Sequence, residues 1–395
     1  MGKKLNVIFD ANNHYHKCLH AANMFSKGRI LDTKRDQDMY MRKIATDFAF
    51  IMRMIGVPDR VVFAMDSFSW RKEVDMLQQV DSYKGNRVRD DSAVNWDAFN
   101  TINRDFFDIL SNQGFISSTL PGAEGDDLMY FWSKKFYEDG EDVIICSGDG
   151  DMTQLVKFSD KNFVCVFNTK STTRQVIGAP GFGDWIRKKV SEPKDAFDIF
   201  MSSDFIQSPI ETIAALIDQT KLIETDPNTV IYDKIVCGDG GDNIPPVINW
   251  QTTQSGGKVI NNKITPIKAA IIKEMVLNKG NGCDITNLQQ YAEIFRKGIK
   301  QIYDKDIDTE TLRNRLERNT RLVYLSHETI PIQIQNQFEL HYTNFDGVGA
   351  PKLGKMTMQA LLEGSQYNNG SIALEADIFA NAAPTNIKAS TKSLF

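Results

Sequence analysis

Apolar residues along this chain follow two rhythms. The segments KLNVIFDAN, RVVFAMDSF and EDVIICSGD are short, nearly unbroken apolar runs rich in β-branched residues, and they close on Asp10, Asp66 and Asp149. NFVCVFN is a fourth run of the same kind. Uninterrupted runs of this length predict strands covered on both faces. Between them the period changes. From Met39 to Ile55 the residues Ile44, Phe48, Ile51 and Ile55 make one helical stripe, and Trp96, Phe99, Ile102, Phe106, Ile109 and Leu110 make another. GFISSTLPG leads into a third helix, GAEGDDLMYFWSKKFYEDG, with acids in its first turn and Leu128, Phe131, Trp132 and Phe136 behind them. Strands alternating with helices predict an α/β fold around a mainly parallel central sheet. Such sheets bind ligands outside the carboxyl ends of their strands. The three strand-terminal acids therefore belong to one rim.

The rest of the chain is less regular. Residues 181–230 read as helices inserted into the core, and NWQTTQSGGKVINNKITP as an exposed loop rich in Gly, Ser and Asn. Helical segments are predicted from Ile267 to about Tyr324, and the end from about Ala380 as a flexible tail. The expected division is a core over 1–180, an insertion over 181–230, a helical region over 231–345 and an extension over 346–395. With 395 residues, 42% of them apolar, the chain can bury a large core as a soluble globular protein. Neither a signal peptide nor a membrane span is expected, and the location is cytoplasmic, a host cell's if the chain is viral. The five cysteines, Cys18, Cys146, Cys165, Cys237 and Cys283, are scattered without a CxxC spacing, so reduced thiols and no zinc site are expected.

Acidic residues change the picture. Glu124, Asp126 and Asp127 crowd one helical turn, Asp149 and Asp151 flank a single glycine, and GDGGDN adds Asp239 and Asp242. One acid in a first turn is a cap; three exceed what the helix dipole calls for. With Asp10 and Asp66 they make nine carboxylates, which repel one another when ionised unless divalent cations lie among them. Oxygen-only donors favour Mg²⁺ or Mn²⁺, and two such ions can hydrolyse a phosphodiester. The net charge of −5 argues against nucleic acid only while those acids are counted: without these nine of its 51 acids, the chain would carry fewer acids than its 46 basic residues. The densest basic run, SYKGNRVR, sets Lys84, Arg87 and Arg89 beside Tyr83. Cations around an aromatic ring suit a single-stranded nucleic acid.

These segments, in the order Asp10, MDSFSWRKE, YKGNR, GAEGDDL, SGDGDMTQL and GDGGDNIPPV, resemble the 5′ nuclease (flap endonuclease and 5′ to 3′ exonuclease) family, and within it the RNase H branch of T-even bacteriophages. The resemblance implies a PIN-like nuclease core with a helical arch at about 70–95 and a helical duplex-binding region after Asp242. It implies two Mg²⁺ ions, with Mn²⁺ as a substitute. Asp10, Asp66, Glu124, Asp126, Asp149 and Asp151 would serve the first ion and Asp239 and Asp242 the second, with Asp127 a shared or supporting acid. Lys84 and Arg87 would stabilise charge at the scissile phosphate, Tyr83 would stack on the adjacent base, and Arg71 and Arg89 would contact phosphate. Where members carry a Gly-rich duplex-gripping loop, often with K⁺, this chain has NWQTTQSGGKVINNK. The implied partners are DNA with a 5′ flap or nick, RNA:DNA hybrid, a single-strand-binding protein, and a sliding clamp through Leu394 and Phe395, the enzyme acting as a monomer in phage replication.

Two other classes compete. A haloacid-dehalogenase-like phosphatase also uses a strand-terminal Asp, but its second acid would fall at Asn12 and it leaves YKGNR and GAEGDDL unexplained. A nucleic-acid-binding relative without activity would be expected to lose carboxylates, and all nine remain.

Overall fold

The computed structural model describes residues 3–23, 28–76, 83–87, 90–170, 174–192, 208–254, 258–279, 284–345, 358–363 and 365–367. Arg89, the 347–357 stretch and the tail with Leu394 and Phe395 lie outside the described residues.

The strands are β1 (Leu5–Asp10), β2 (Arg60–Ala64), β3 (Ile116–Ser118), β4 (Asp142–Cys146), β5 (Lys157–Phe158), β6 (Phe163–Asn168), β7 (Gln175–Gly178) and β8 (Lys221–Glu224). They form one sheet in the order β3-β2-β1-β4-β6-β7-β8, with β5 beside β6. Every pair from β3 to β6 along that order is parallel; β5 and β7 run antiparallel to β6. The sheet is thus mainly parallel, as the sequence predicts.

Helices cover both faces. Val7, Phe9, Phe63, Ile144 and Cys146 point to α1 (Ala11–Asn23), α2 (Lys34–Ile55) and α4 (Trp96–Asn112), whose stripes Ile44, Phe48, Ile51, Ile55, Phe99, Ile102, Phe106 and Leu110 are all buried there. Ile8, Val62, Val143 and Ile145 point the other way, to Leu128, Phe131, Trp132 and Phe136 of α5 (Gly125–Glu138). Two-sided burial is why the strands lack polar alternation. Thr33 caps α2 by accepting from the Asp36 amide at 3.1 Å, and Gly56 closes it at φ +92°.

The short α3 (Arg71–Met76) opens the region expected to form the arch. Beyond β7, α6 (Phe182–Ser191) and α7 (Pro209–Gln219) bury Phe182, Trp185, Ile186, Ile213 and Leu216 in the first of these cores, and β8 extends the sheet. The described part of 181–230 is therefore built into the core and is no excursion from it. A third apolar cluster joins α8 (Pro227–Cys237), α9 (Pro266–Lys279), α10 (Ala292–Tyr303) and α11 (Thr309–Val323) through Ile235, Ile272, Phe295, Ile299, Leu312 and Leu316. The expected loop after Ile248 is instead an antiparallel hairpin, β9 (Asn249–Thr253) with β10 (Val259–Lys263), anchored by Trp250 on Tyr303 with ring centres 4.8 Å apart. Its exposed faces carry polar residues, which hides the strand pattern in the sequence. Finally, α12 (Ile332–Thr343) lays Phe338 on Phe131 of α5, and α13 (Met358–Leu361) packs Leu361 into the first core. No described helix is long and apolar enough to cross a membrane.

Candidate metal centre

The sheet delivers its acids to one edge. Asp10 ends β1, Asp66 follows β2 by two residues, and Asp149 follows β4 by three; β2, β1 and β4 are adjacent and parallel. Glu124, Asp126 and Asp127 arrive on the first turn of α5. Asp66 binds that turn directly, its Oδ1 accepting from the Gly125 amide at 2.6 Å. Gly125 is required there, because a Cβ would stand 2.9 Å from the same oxygen.

The three strand-end carboxylates are aimed by their neighbours. Asp10 accepts from the Asn13 amide at 2.9 Å and from Ser147 Oγ at 2.7 Å, and Asp66 also accepts from Asn12 Nδ2. Asp149 accepts from the Asp151 amide at 3.0 Å. Among the described residues, no lysine or arginine pairs with Asp10, Asp66, Asp126 or Asp149. The electrostatics record that deficit. Burial, with Asp66 and Asp149 close by, pushes Asp10 up to about 7. Asp66 keeps an exposed side and Asp126 is half-buried; the protein atoms crowded around each carboxylate raise both, Asp126 well above the ordinary range, with Glu124 adding to the first and Asp149 and Asp10 to the second, while Lys84 pulls each partly back.

The remaining acids hold internal cations. Arg71 is 2% exposed: it donates to Asp127 Oδ1 and Oδ2 at 2.8 and 3.1 Å, to Glu124 Oε2 at 2.9 Å and to the Leu322 carbonyl at 3.0 Å. Trp70 Nε1 adds a bond to Asp127 Oδ2 at 3.0 Å, and the Glu124 amide another. Two expectations are corrected here. Arg71 faces inward with four of its five N–H groups bound inside the protein, and Asp127, fully buried with both oxygens taken, braces the turn rather than offering itself to an ion. Removing this arginine strands two buried carboxylates. Arg71→Ala is expected to lower unfolding free energy by about 3–5 kcal/mol, measured by urea denaturation; a loss within experimental scatter of zero contradicts the bracing role.

The Tyr83–Arg87 turn lies across the same acids. Lys84 donates to Glu124 Oε1 at 2.6 Å and stands 4.0 Å from Asp242 Oδ2, while Arg87 binds Asp242 Oδ1 at 2.5 Å. Backbone ties hold the turn to the Gly238–Asn243 loop: the Lys84 amide donates to the Asp242 carbonyl at 2.9 Å, and Asn86 Nδ2 to the Gly240 carbonyl at 2.9 Å. Lys84 takes φ +57°, a strained backbone for a lysine. Burial works against its charge, but Glu124, Asp242 and Asp126 outweigh it and raise its pKa. Burial would likewise raise Glu124, yet Arg71 and Lys84 hold it below the ordinary range. Tyr83 is a third correction. It is 3% exposed, and its hydroxyl binds Glu124 at 3.0 Å and Asp242 at 3.1 Å, so in this arrangement its ring has no face open to a base.

The second acidic loop is set by backbone. Asp239 and Ile244 exchange both amide–carbonyl bonds, at 2.9 and 2.8 Å, and Gly238 at φ +72° leaves no room for a side chain, since a Cβ would meet the Ile244 carbonyl at 2.4 Å. Lys234, one helical turn before the loop, binds both Asp151 and Asp239, the latter at 2.5 Å. It therefore joins the two acidic groups, and the sequence reading missed it. Its only signal was a lone lysine in the otherwise apolar last turn of α8, just before GDGGD.

The donor set suits hard divalent cations: every rim group is a carboxylate oxygen, and Asp10, Asp66, Asp126 and Asp149 are the ones left without an internal cation. A pH dependence follows. Asp10, Asp66 and Asp126 hold protons more tightly in the folded chain than in the unfolded one, so above pH ~4 the folded state binds more protons and loses stability as pH rises. For Asp10 the loss extends through about 7. Glu124 and Asp239, shifted down, complete their opposite contribution near pH ~4 and do not oppose this above it. His14, held down to about 4, and His16, His327 and His341, also shifted down, act the other way across this interval, so the rim is isolated by difference: in EDTA the Tm of Asp10→Asn is expected to gain on wild type from about pH 5 to about pH 7.5, with Mg²⁺ reversing the gain, and a difference that shrinks as pH rises contradicts it.

Comparison with known proteins finds the following similarities. Residues 5–181 match the family model described as "5′-3′ exonuclease, N-terminal resolvase-like domain". No curated protein matches the chain. Among solved structures, the bacteriophage T5 D15 protein co-crystallised with metal ions is similar at 18% identity and a TM-score of 0.48, covering 87% of this chain and 99% of that one. The T5 D15 flap endonuclease in a pseudo-enzyme–product complex with DNA and metal ions gives the same four values. The T5 5′-exonuclease with bound zinc gives 17% identity and a TM-score of 0.49, covering 87% of this chain and 99% of that one. The family match replaces the phosphatase alternative.

Proposed function

Starting from a chain whose residues 5–181 match the model of the 5′-3′ exonuclease N-terminal domain, we propose that it is a divalent-metal-dependent 5′ nuclease acting on flapped or nicked DNA and on RNA:DNA hybrid. The observation that carries this is the meeting, on one sheet edge, of four carboxylates without an ion-paired cation and a partly buried, charged lysine. Asp10, Asp66, Asp126 and Asp149 would hold one ion, with Glu124 and Asp151 beside it, and Asp239 and Asp242 would help hold a second. When bound, paired Mg²⁺ ions supply the positive charge that activates water and steadies the leaving oxygen.

The chain's own groups do the rest. Ser147, Asn13 and the Gly125 amide fix the carboxylate oxygens in direction, so little reorganisation remains when substrate arrives. Lys84 stays protonated at any working pH because the acids around it raise its pKa. It can turn from Glu124 to a phosphate oxygen and meet the charge that builds as water adds to phosphorus and the bond to the 3′ oxygen breaks. The products are a 5′-phosphate and a 3′-hydroxyl. A single-stranded 5′ end would pass the Tyr83–Arg87 turn, and duplex would rest on the third helical cluster beyond Asp242. The corresponding task is removal of RNA primers and adjoining DNA from lagging-strand fragments in phage replication.

The test is cleavage of a 5′-labelled flap on nicked duplex, with Mg²⁺ or EDTA, beside blunt duplex and an RNA:DNA hybrid. Mg²⁺-dependent release of a short labelled product near the junction is expected. Intact DNA binding without cleavage would move the chain to the non-catalytic relatives.

A further inference from the structure

Away from the acidic rim, α1 and α2 enclose a second group of metal-binding side chains. His14 and Cys18 lie one turn apart on α1 and face Asp47 on α2. One nitrogen, the sulfur and one oxygen of this trio all lie within 4.8 Å of one another. His14 is 3% exposed and Cys18 fully buried.

The histidine is held in an unusual way. Its Nε2 lies 3.2 Å from the Ile44 carbonyl, and since a carbonyl can only accept, Nε2 carries the proton. A neutral ring then presents a bare lone pair at Nδ1. That atom has no hydrogen-bond partner and stands 3.5 Å from Asp47 Oδ2. Two lone pairs facing each other in a buried space repel unless a cation or a proton lies between them. The ring does not supply that proton near neutrality, because burial pushes His14 down to about 4. Other charges facing the group are Lys17, paired with Asp47 and donating at 3.1 Å to the Thr169 carbonyl, and Lys43, 3.9 Å from Asp47 Oδ1. They neutralise the carboxylate but leave Nδ1 unpaired.

We propose that His14 Nδ1, Cys18 Sγ and an Asp47 oxygen form a three-ligand zinc site that pins α1 to α2. Imidazole, thiolate and carboxylate together are a zinc donor set, distinct from the all-oxygen rim. Zinc–ligand bonds of about 2.0–2.3 Å require the three atoms to draw closer by roughly an ångström, which one turn of α1 and a side-chain rotation can supply. Binding releases the Cys18 thiol proton to solvent, and the Ile44 carbonyl keeps the ring oriented, as outer partners of metal-bound histidines do. The site is independent of the nuclease reading. It departs from the expectation of no zinc site drawn from cysteine spacing, because its ligands come from two helices and only one is a cysteine.

The test uses the full chain with Co²⁺ as a zinc surrogate. The acidic rim, binding through oxygen alone, gives no thiolate-to-cobalt charge-transfer band, so such a band reports this site. The expected result is a band at one equivalent of Co²⁺, displaced by Zn²⁺ and absent in Cys18→Ser, with His14→Gln weakening affinity by about 10-fold or more. Circular dichroism identifies variants that fail to fold, and Cys18→Ser should still cleave flaps in Mg²⁺. No band in the wild type, or a band that survives in Cys18→Ser, overturns the proposal.

Discussion

Asp126→Asn is expected to abolish cleavage while making the ion-free protein more stable. The substitution preserves shape and removes one half-buried carboxylate from a group of four that has no ion pair to a lysine or arginine among the described residues. An ion held by three carboxylates in place of four loses several kcal/mol of transition-state stabilisation, a fall in rate on the order of 10³-fold. The same change lifts repulsion on Asp10 and Asp149, so the melting temperature in EDTA at neutral pH should rise. Both readings come from one variant, by single-turnover cleavage and by thermal melting. Loss of cleavage with a lower Tm would mean that Asp126 serves the fold instead. Unchanged cleavage would remove it from the ion site.

Lys84→Ala is the second large effect. If the ammonium of Lys84 meets charge developing on the scissile phosphate, its loss should slow the chemical step by about 10²–10³-fold, the range for removing one preorganised donor. Affinity for flap DNA, measured by anisotropy with Ca²⁺ in place of Mg²⁺, should change only a few-fold, because one phosphate contact among many is lost. Stability need not suffer, since φ +57° is a strained conformation for any side chain and Glu124 keeps Arg71. An unchanged single-turnover rate would confine Lys84 to a structural ion pair.

Much of this site was legible because strands buried on both faces tolerate a charged residue only where they end. Asp10, Asp66 and Asp149 each stop an apolar run, and the parallel order of β2, β1 and β4 does the rest. What the sequence hides is the countercharge. Arg71 sits in a charged stretch that reads as surface, yet its partners Glu124 and Asp127 lie 53 and 56 positions away. Lys234 reaches Asp151 across 83 positions. Nothing local marks either residue as buried or bridging. The same holds for Tyr83, whose setting in SYKGNRVR suggests a ring offered to a base, while its hydroxyl is claimed by two acids far along the chain. The β9–β10 hairpin was hidden for another reason: its strands bury little, so polarity outweighs the strand period.

Were nucleic-acid phosphates to bind at Lys84, Arg87 or Lys234, the internal pairing of these side chains would make binding an exchange of ions rather than a simple release of them. A phosphate that captures one of these side chains frees condensed cations from the nucleic acid, and at the same moment frees a carboxylate of the protein that takes a cation up. The net release is smaller than the number of phosphate contacts, so affinity should fall less steeply with monovalent salt than that number implies. The carboxylates set free are Glu124, Asp242, Asp151 and Asp239. Substrate and divalent ions would then draw each other in, and by linkage each would raise the other's affinity by the same factor.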